Sequence, residues 1–254
     1  MRAWCFCSAT PDPVINVFMA TVTYRMYTHT MMNYLFSSPT VQYCEVATSM
    51  LIARPWYALS NVAFLVVGIL ILLRGGRYSR LFGSMALLVG SLSFMHDASY
   101  TYLAQLVDLS GMLLLVSVLL YLNLQPLLLK RLLIIGLAVS FIFALCTIIA
   151  LRGFAGDIFF GLLILGYIVS EMYLLRTGRH TRSRRWLLAL GIFLLGFIFW
   201  LCDASHFYCA NVGLFNGRAI FHYTNSITIY LLFIYYGLQP ESGLTKPKNL
   251  TLNK

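Results

Sequence analysis

Apolar residues along this chain come in long, nearly unbroken runs rather than in alternating or one-sided patterns. Seven runs are long enough to cross about 30 Å of hydrocarbon, at roughly 57–73, 81–98, 103–122, 131–151, 157–176, 184–207 and 217–239. A helix that faces lipid is apolar all round, so uninterrupted length, more than periodicity, predicts each run as a helix. The expected fold is all-α, a polytopic seven-transmembrane-helix bundle. Residues 42–239 make up that membrane domain, residues 1–41 an ill-defined N-terminal extension and residues 240–254 a cytoplasmic tail.

Composition strengthens this picture. The chain is 60% hydrophobic and only 10% charged, whereas soluble domains are about half apolar and a quarter charged. A net charge of +10 would suggest nucleic acid as partner for a soluble protein. Here thirteen of the 18 Lys and Arg residues fall after the first, third and fifth runs or in the tail, among them Arg74, Arg77, Lys130 and Arg176–Arg185. Cytoplasmic loops carry such an excess, so the C-terminus is expected in the cytoplasm and the N-terminus outside or in a lumen. The basic run then meets anionic headgroups, and no nucleic-acid partner is expected.

The polar residues inside the runs share one depth. On this topology Ser60 and Asn61 lie about one turn inside the outer surface. Ser93, His96 and Asp97 lie near the outer end of the second span, and Asp108 in the first turns of the third. Asp203 and His206 close the sixth, and Arg218 and His222 open the seventh. Ser93 and Asp97 are spaced i, i+4, as are Arg218 and His222, so each pair shares a helix face. Ionisable groups at membrane depth are costly and mark functional sites by default. Cys44 before the first span and Cys209 after the sixth both fall outside, where a disulfide persists, and a Cys44–Cys209 bridge is expected. Glu171 lies nearer the cytoplasmic side and stands apart from this layer. Carboxylates, imidazoles and hydroxyls clustered in one place suit a metal that activates water.

The order of these motifs resembles the alkaline ceramidases and their bacterial relatives, part of a seven-helix hydrolase superfamily that includes adiponectin-receptor-like proteins. The resemblance runs over residues 42–239 through Cys44-Glu45, Pro55 to Asn61, Ser93-x-x-x-Asp97, Gln105-x-x-Asp108, Trp200-x-x-Asp203, Cys209 and Gly217-x-Ala219-x-x-His222. It implies a membrane hydrolase that uses a zinc-activated water to cleave the N-acyl amide bond of ceramide or a related membrane lipid. Carried over, Ser93 polarises the oxyanion, Asp108 orients or deprotonates the water, and His222 ligates zinc. Ser60, Asp203, His206, Arg218 and Glu45 become supporting or substrate-contacting residues.

Several positions depart from that pattern. Asp97 stands where the second-span ligand would be a histidine, Arg218 replaces the first histidine of the seventh span, and Arg54 stands where a glutamate would precede Pro55. Most acidic residues that would join Glu45 around calcium are missing, so calcium is not expected. Three readings stay open. Zinc is held by a rearranged set of Asp97, His222 and a third ligand, His96 or His206; or Arg218 pairs with Asp97 or Asp203 in place of the metal, leaving an inactive lipid-binding, receptor or scaffold protein; or the cluster only solvates itself and staples helices. A retinal Schiff base in the last span is excluded, because no lysine lies between Arg218 and Leu238, and no internal repeat of the transporter kind is evident. The sequence names no protein partner.

Overall fold

The computed structural model describes residues 32–125, 155–181, 183–207 and 213–239, together with 127, 134, 136, 138, 141, 142 and 209. Most of the N-terminal extension, the run at 131–151 and the tail lie outside the described residues. Within them the chain is helical, with no strand. Helix α1 comprises two pieces, Pro55–Ser60 and Val62–Arg74, joined at Asn61. It is followed by α2 (Ser79–Ser99), α3 (Tyr102–Leu124), α4 (Ala155–Arg176), α5 (Ser183–Ala204) and α6 (Gly217–Gly237).

Helices α1 to α5 are each long and apolar enough to cross a membrane, and the chain is a multi-pass membrane protein. Helix α6 is 21 residues long but is not among those five, because Arg218, His222, Asn225, Ser226 and Thr228 dilute its apolar character. It compensates by burial inside the bundle. Arg218, His222, Ser226 and Thr228 are all buried among neighbouring helices, which is how polar residues are tolerated at this depth.

Element boundaries follow local chemistry. Pro55 occupies the first turn of α1, where its missing N–H costs nothing. Thr101 and Asn216 cap α3 and α6 by accepting from Ala104 N and Ala219 N, satisfying donors that a helix start leaves free. Close packing depends on small residues. A Cβ at Gly217 would lie 2.3 Å from the Phe199 carbonyl oxygen, so only glycine lets α6 begin directly against α5. Around the bundle α4 packs on α3, α3 on α2, α2 on α1, α1 on α6 and α6 on α5. Among the described helices α4 and α5 scarcely touch along their length, and both contribute walls to the cavity that the others enclose.

Candidate functional site: a guanidinium-filled polar layer above an apolar cavity

The N-terminal ends of α1, α3 and α6 and the C-terminal ends of α2 and α5 converge on one buried layer. Asn61 interrupts α1, and the break frees the Tyr57 carbonyl to accept from Ser60 Oγ at 2.7 Å and Asn61 Nδ2 at 3.0 Å. Ser60 has one hydroxyl proton, and Tyr57 takes it. Its oxygen, 2.6 Å from His222 Nδ1, therefore accepts, so Nδ1 carries the imidazole proton and Nε2 keeps its lone pair. Asn61 Nδ2 also donates to Asp97 Oδ2 at 3.0 Å.

Asp97 is the centre of the layer. Its Oδ1 lies 3.2 Å from Arg218 Nε and 3.3 Å from Arg54 Nη2, and all three side chains are almost wholly buried. The Arg218 guanidinium also extends to Asp108 Oδ2 at 3.8 Å, and Asp108 accepts a hydrogen bond from Ser93 Oγ. Tyr43 covers the layer, its ring centroid 4.3 Å from Arg218 Cζ and 5.5 Å from Arg54 Cζ, a cation–π contact that favours a desolvated guanidinium. His96 Nε2 is 3.3 Å from Arg54 Nη2. Arginine only donates, so His96 Nε2 accepts and Nδ1 carries the proton; that buried N–H has no protein hydrogen-bond partner among the described residues.

The remaining sequence candidates serve the frame. Asp203 accepts from Cys44 N at 2.8 Å, from the Tyr57 hydroxyl at 2.8 Å and from Arg218 N at 2.6 Å, tying α1, α5, α6 and the segment before α1 together. Glu45 accepts from Trp56 N at 2.9 Å and Tyr57 N at 2.8 Å, so it caps α1. Partial burial raises its carboxyl above the usual range, and those two backbone N–H bonds oppose the rise. His206 is exposed in a left-handed turn, φ 55°, with Nδ1 3.9 Å from Cys44 Sγ. Cys44 and Cys209 are disulfide-bonded, their Cα atoms 5.2 Å apart.

A zinc ion does not fit these residues. Among the described residues, the one group of three His, Cys, Asp or Glu donors lying within 4.8 Å of one another is Cys44, His206 and Cys209, and its two sulfurs are already bonded to each other. Asp97, His96 and His222 do not gather in that way. Two guanidiniums lie within 3.3 Å of Asp97 Oδ1, and their charges would repel a dication there.

Below the polar layer lies a cavity of about 370 Å³. Ser93, His96, Asp108, Arg218 and His222 line its end at that layer, and Leu115, Leu119, Ile164, Leu190 and Ile229 the rest. An apolar cavity with a few convergent polar groups at one end is the form of a small-molecule binding site. A family model, Ceramidase, matches residues 36–247. The chain is a member of the ceramidase family. A comparison with curated proteins gives no significant match. Family membership supports a ceramidase-like function with a lipid as the implied ligand, and it covers every residue of the polar layer.

Sequence reasoning did not assign Arg54 to the site. Its position before Pro55 signalled a departure from the family pattern, but only the fold brings it 3.3 Å from Asp97. Nothing in the sequence points Tyr43 or Tyr57 to the site, because tyrosine at a membrane boundary ordinarily reads as interfacial anchoring.

Proposed function

We propose that this ceramidase-family protein binds the amide head of ceramide or a closely related membrane lipid amide in the α1–α6 cavity, with Arg218 in the metal's place. The supporting observation is the Arg218 side chain, buried between Asp97 and Asp108 at the outer end of an otherwise apolar cavity. A guanidinium has five N–H donors, more than these two carboxylates use. It serves the amide carbonyl oxygen together with the unpartnered Nδ1–H of His96. Asp108 and the His222 Nε2 lone pair accept from the amide N–H and hydroxyls of the head. Donors and acceptors thus suit a neutral amide, whereas a free fatty-acid carboxylate would meet Asp108. In the same proposal the chain crosses the membrane seven times with its N-terminus outside or lumenal, so that lipid reaches the cavity sideways.

Hydrolysis is the second reading, favoured by the retained Ser93–Asp108 hydrogen bond and by the Ser60-oriented His222. Full-length protein in lipid nanodiscs, titrated with a fluorescent ceramide and assayed for fatty-acid release and zinc content, separates the two. Saturable binding weakened at least tenfold by Arg218→Met, with no release and no bound zinc, is expected. Fatty-acid release that disappears in Asp108→Asn would establish the hydrolase reading and overturn the binding one.

A further inference from the structure

A second buried polar cluster lies at the opposite, inner end of the cavity. Trp186 Nε1 on α5 donates to the Tyr167 hydroxyl on α4 at 3.1 Å. The Tyr236 hydroxyl on α6 lies 3.5 Å from that of Tyr167 and donates to Asn123 Oδ1 on α3 at 2.6 Å. Asn123 in turn donates to Ser170 Oγ at 3.0 Å. Glu171, fully buried, receives the Tyr235 hydroxyl and the His180 ring at 2.7 Å. The cluster therefore links four helices and the turn after α4. A floor made only to fill space would be leucine or phenylalanine, which yield by changing rotamer. A satisfied hydrogen-bond network fixes its members in one arrangement.

Tyr167 and Trp186 face the cavity, and Asn123, Glu171 and Tyr236 lie beyond its lining. The lining runs from Gln105 to Leu119 on α3, from Trp200 to Trp186 on α5 and from Arg218 to Leu232 on α6, about 21 Å of helical rise on each. Subtracting the polar head, from His222 to Leu232 or from Asp108 to Leu119, leaves about 15 Å of apolar length, or roughly a dozen methylenes at about 1.3 Å each.

We infer that the hydrogen-bonded plate of Trp186, Tyr167, Tyr236 and Asn123 is the chain-length stop of this site, limiting the acyl group it accepts to roughly 12 to 14 carbons. The inference rests on the lipid-amide reading above. In a membrane both free and bound chains are surrounded by hydrocarbon, so each methylene adds little affinity. Selection comes instead from exclusion: a longer chain must displace the plate or fold back, an overpacking cost equivalent to roughly five- to hundredfold in affinity.

The test uses the full chain in nanodiscs, displacing a fluorescent short-acyl ceramide with ceramides of one sphingoid base and acyl chains from eight to 24 carbons. Nearly constant affinity up to the limit and a fall of at least fivefold beyond it are expected. Trp186→Ala should move the limit to longer chains, and Ile229→Trp, which fills the cavity one turn higher, to shorter ones. The opposite signs keep the test decisive even if one variant folds poorly. Length-independent affinity in the unaltered protein, or a limit that neither variant moves, overturns the stop while leaving lipid-amide binding intact. Failure of the probe and every ceramide to bind would overturn the lipid-amide reading itself.

Discussion

Rebuilding a metal site tests the two-arginine arrangement most directly. If Arg218 alone replaced the metal, the double variant Asp97→His, Arg218→His would recover zinc, since both would then join His222 as nitrogen ligands. The geometry predicts otherwise, because Arg54 Nη2 lies 3.3 Å from the Asp97 carboxylate and remains in the double variant. A dication bound by residue 97 would sit about 5 Å from that guanidinium, and at an effective dielectric of about 20 the repulsion is roughly 6 to 7 kcal/mol. Tight structural zinc sites are worth about 10 to 16 kcal/mol, so the remainder is roughly 3 to 10 kcal/mol, a Kd between millimolar and sub-micromolar, weak enough for dialysis against a mild chelator to strip the ion. The triple variant with Arg54→Gln removes the charge and should retain zinc. Metal content by mass spectrometry after dialysis is expected near zero for the native protein and the double variant, and near one per chain for the triple. Stoichiometric zinc in the native protein that His222→Ala removes, or full occupancy in the double variant, would refute the reasoning.

Three further outcomes follow from the same contacts. Asp97→Asn leaves Arg54 and Arg218 buried without their shared counter-charge and should cost about 3 to 5 kcal/mol, read as a fall of roughly 6 to 20 °C in unfolding midpoint; Arg54→Met added to it should recover part of that loss. Cys209→Ser opens the bridge to Cys44, which closes 165 residues of chain, and should cost about 2 to 5 kcal/mol in thermal unfolding, matched by reductant on the native protein. Because burial raises the Glu45 carboxyl, the folded state holds its proton more tightly than the unfolded chain. Its contribution is then greatest below the ordinary carboxylate pKa and declines as pH rises through the raised value, so the native protein should lose stability relative to Glu45→Gln over that interval.

The sequence made the described helices legible to within a few residues because lipid exposure writes them as long apolar runs. It also placed Ser60, Asp97, Asp108, Arg218 and His222 at one depth, since α-helical rise converts position into height. Contacts between polar groups were not legible in the same way. Helix rotation decides whether Arg218 turns to Asp97 or Asp203, and the fold divides the answer: the side chain goes to Asp97 and the backbone N–H to Asp203. His96 lies one residue from Asp97, yet it is used by Arg54 and not drawn towards His222. The inner plate escaped because its members are tyrosines, an asparagine and a tryptophan spread over four helices, with no spacing that joins them.

Charge balance explains why Arg54, Asp97 and Arg218 belong together. A buried cation without a counter-charge is strongly unfavourable, and two adjacent guanidiniums are worse. Arg54 and Arg218 are tolerable because Asp97 lies between them and Asp108 is within 3.8 Å of the second, while Tyr43 offers its ring face to both. A histidine at 97 would leave the two cations facing each other, and an arginine at 218 above an intact metal would do the same. The three residues make sense as a set and not singly: the two arginines supply a fixed positive charge of two, set against the carboxylates of Asp97 and Asp108. In the proposed binding reading, that fixed charge is what orients the lipid amide.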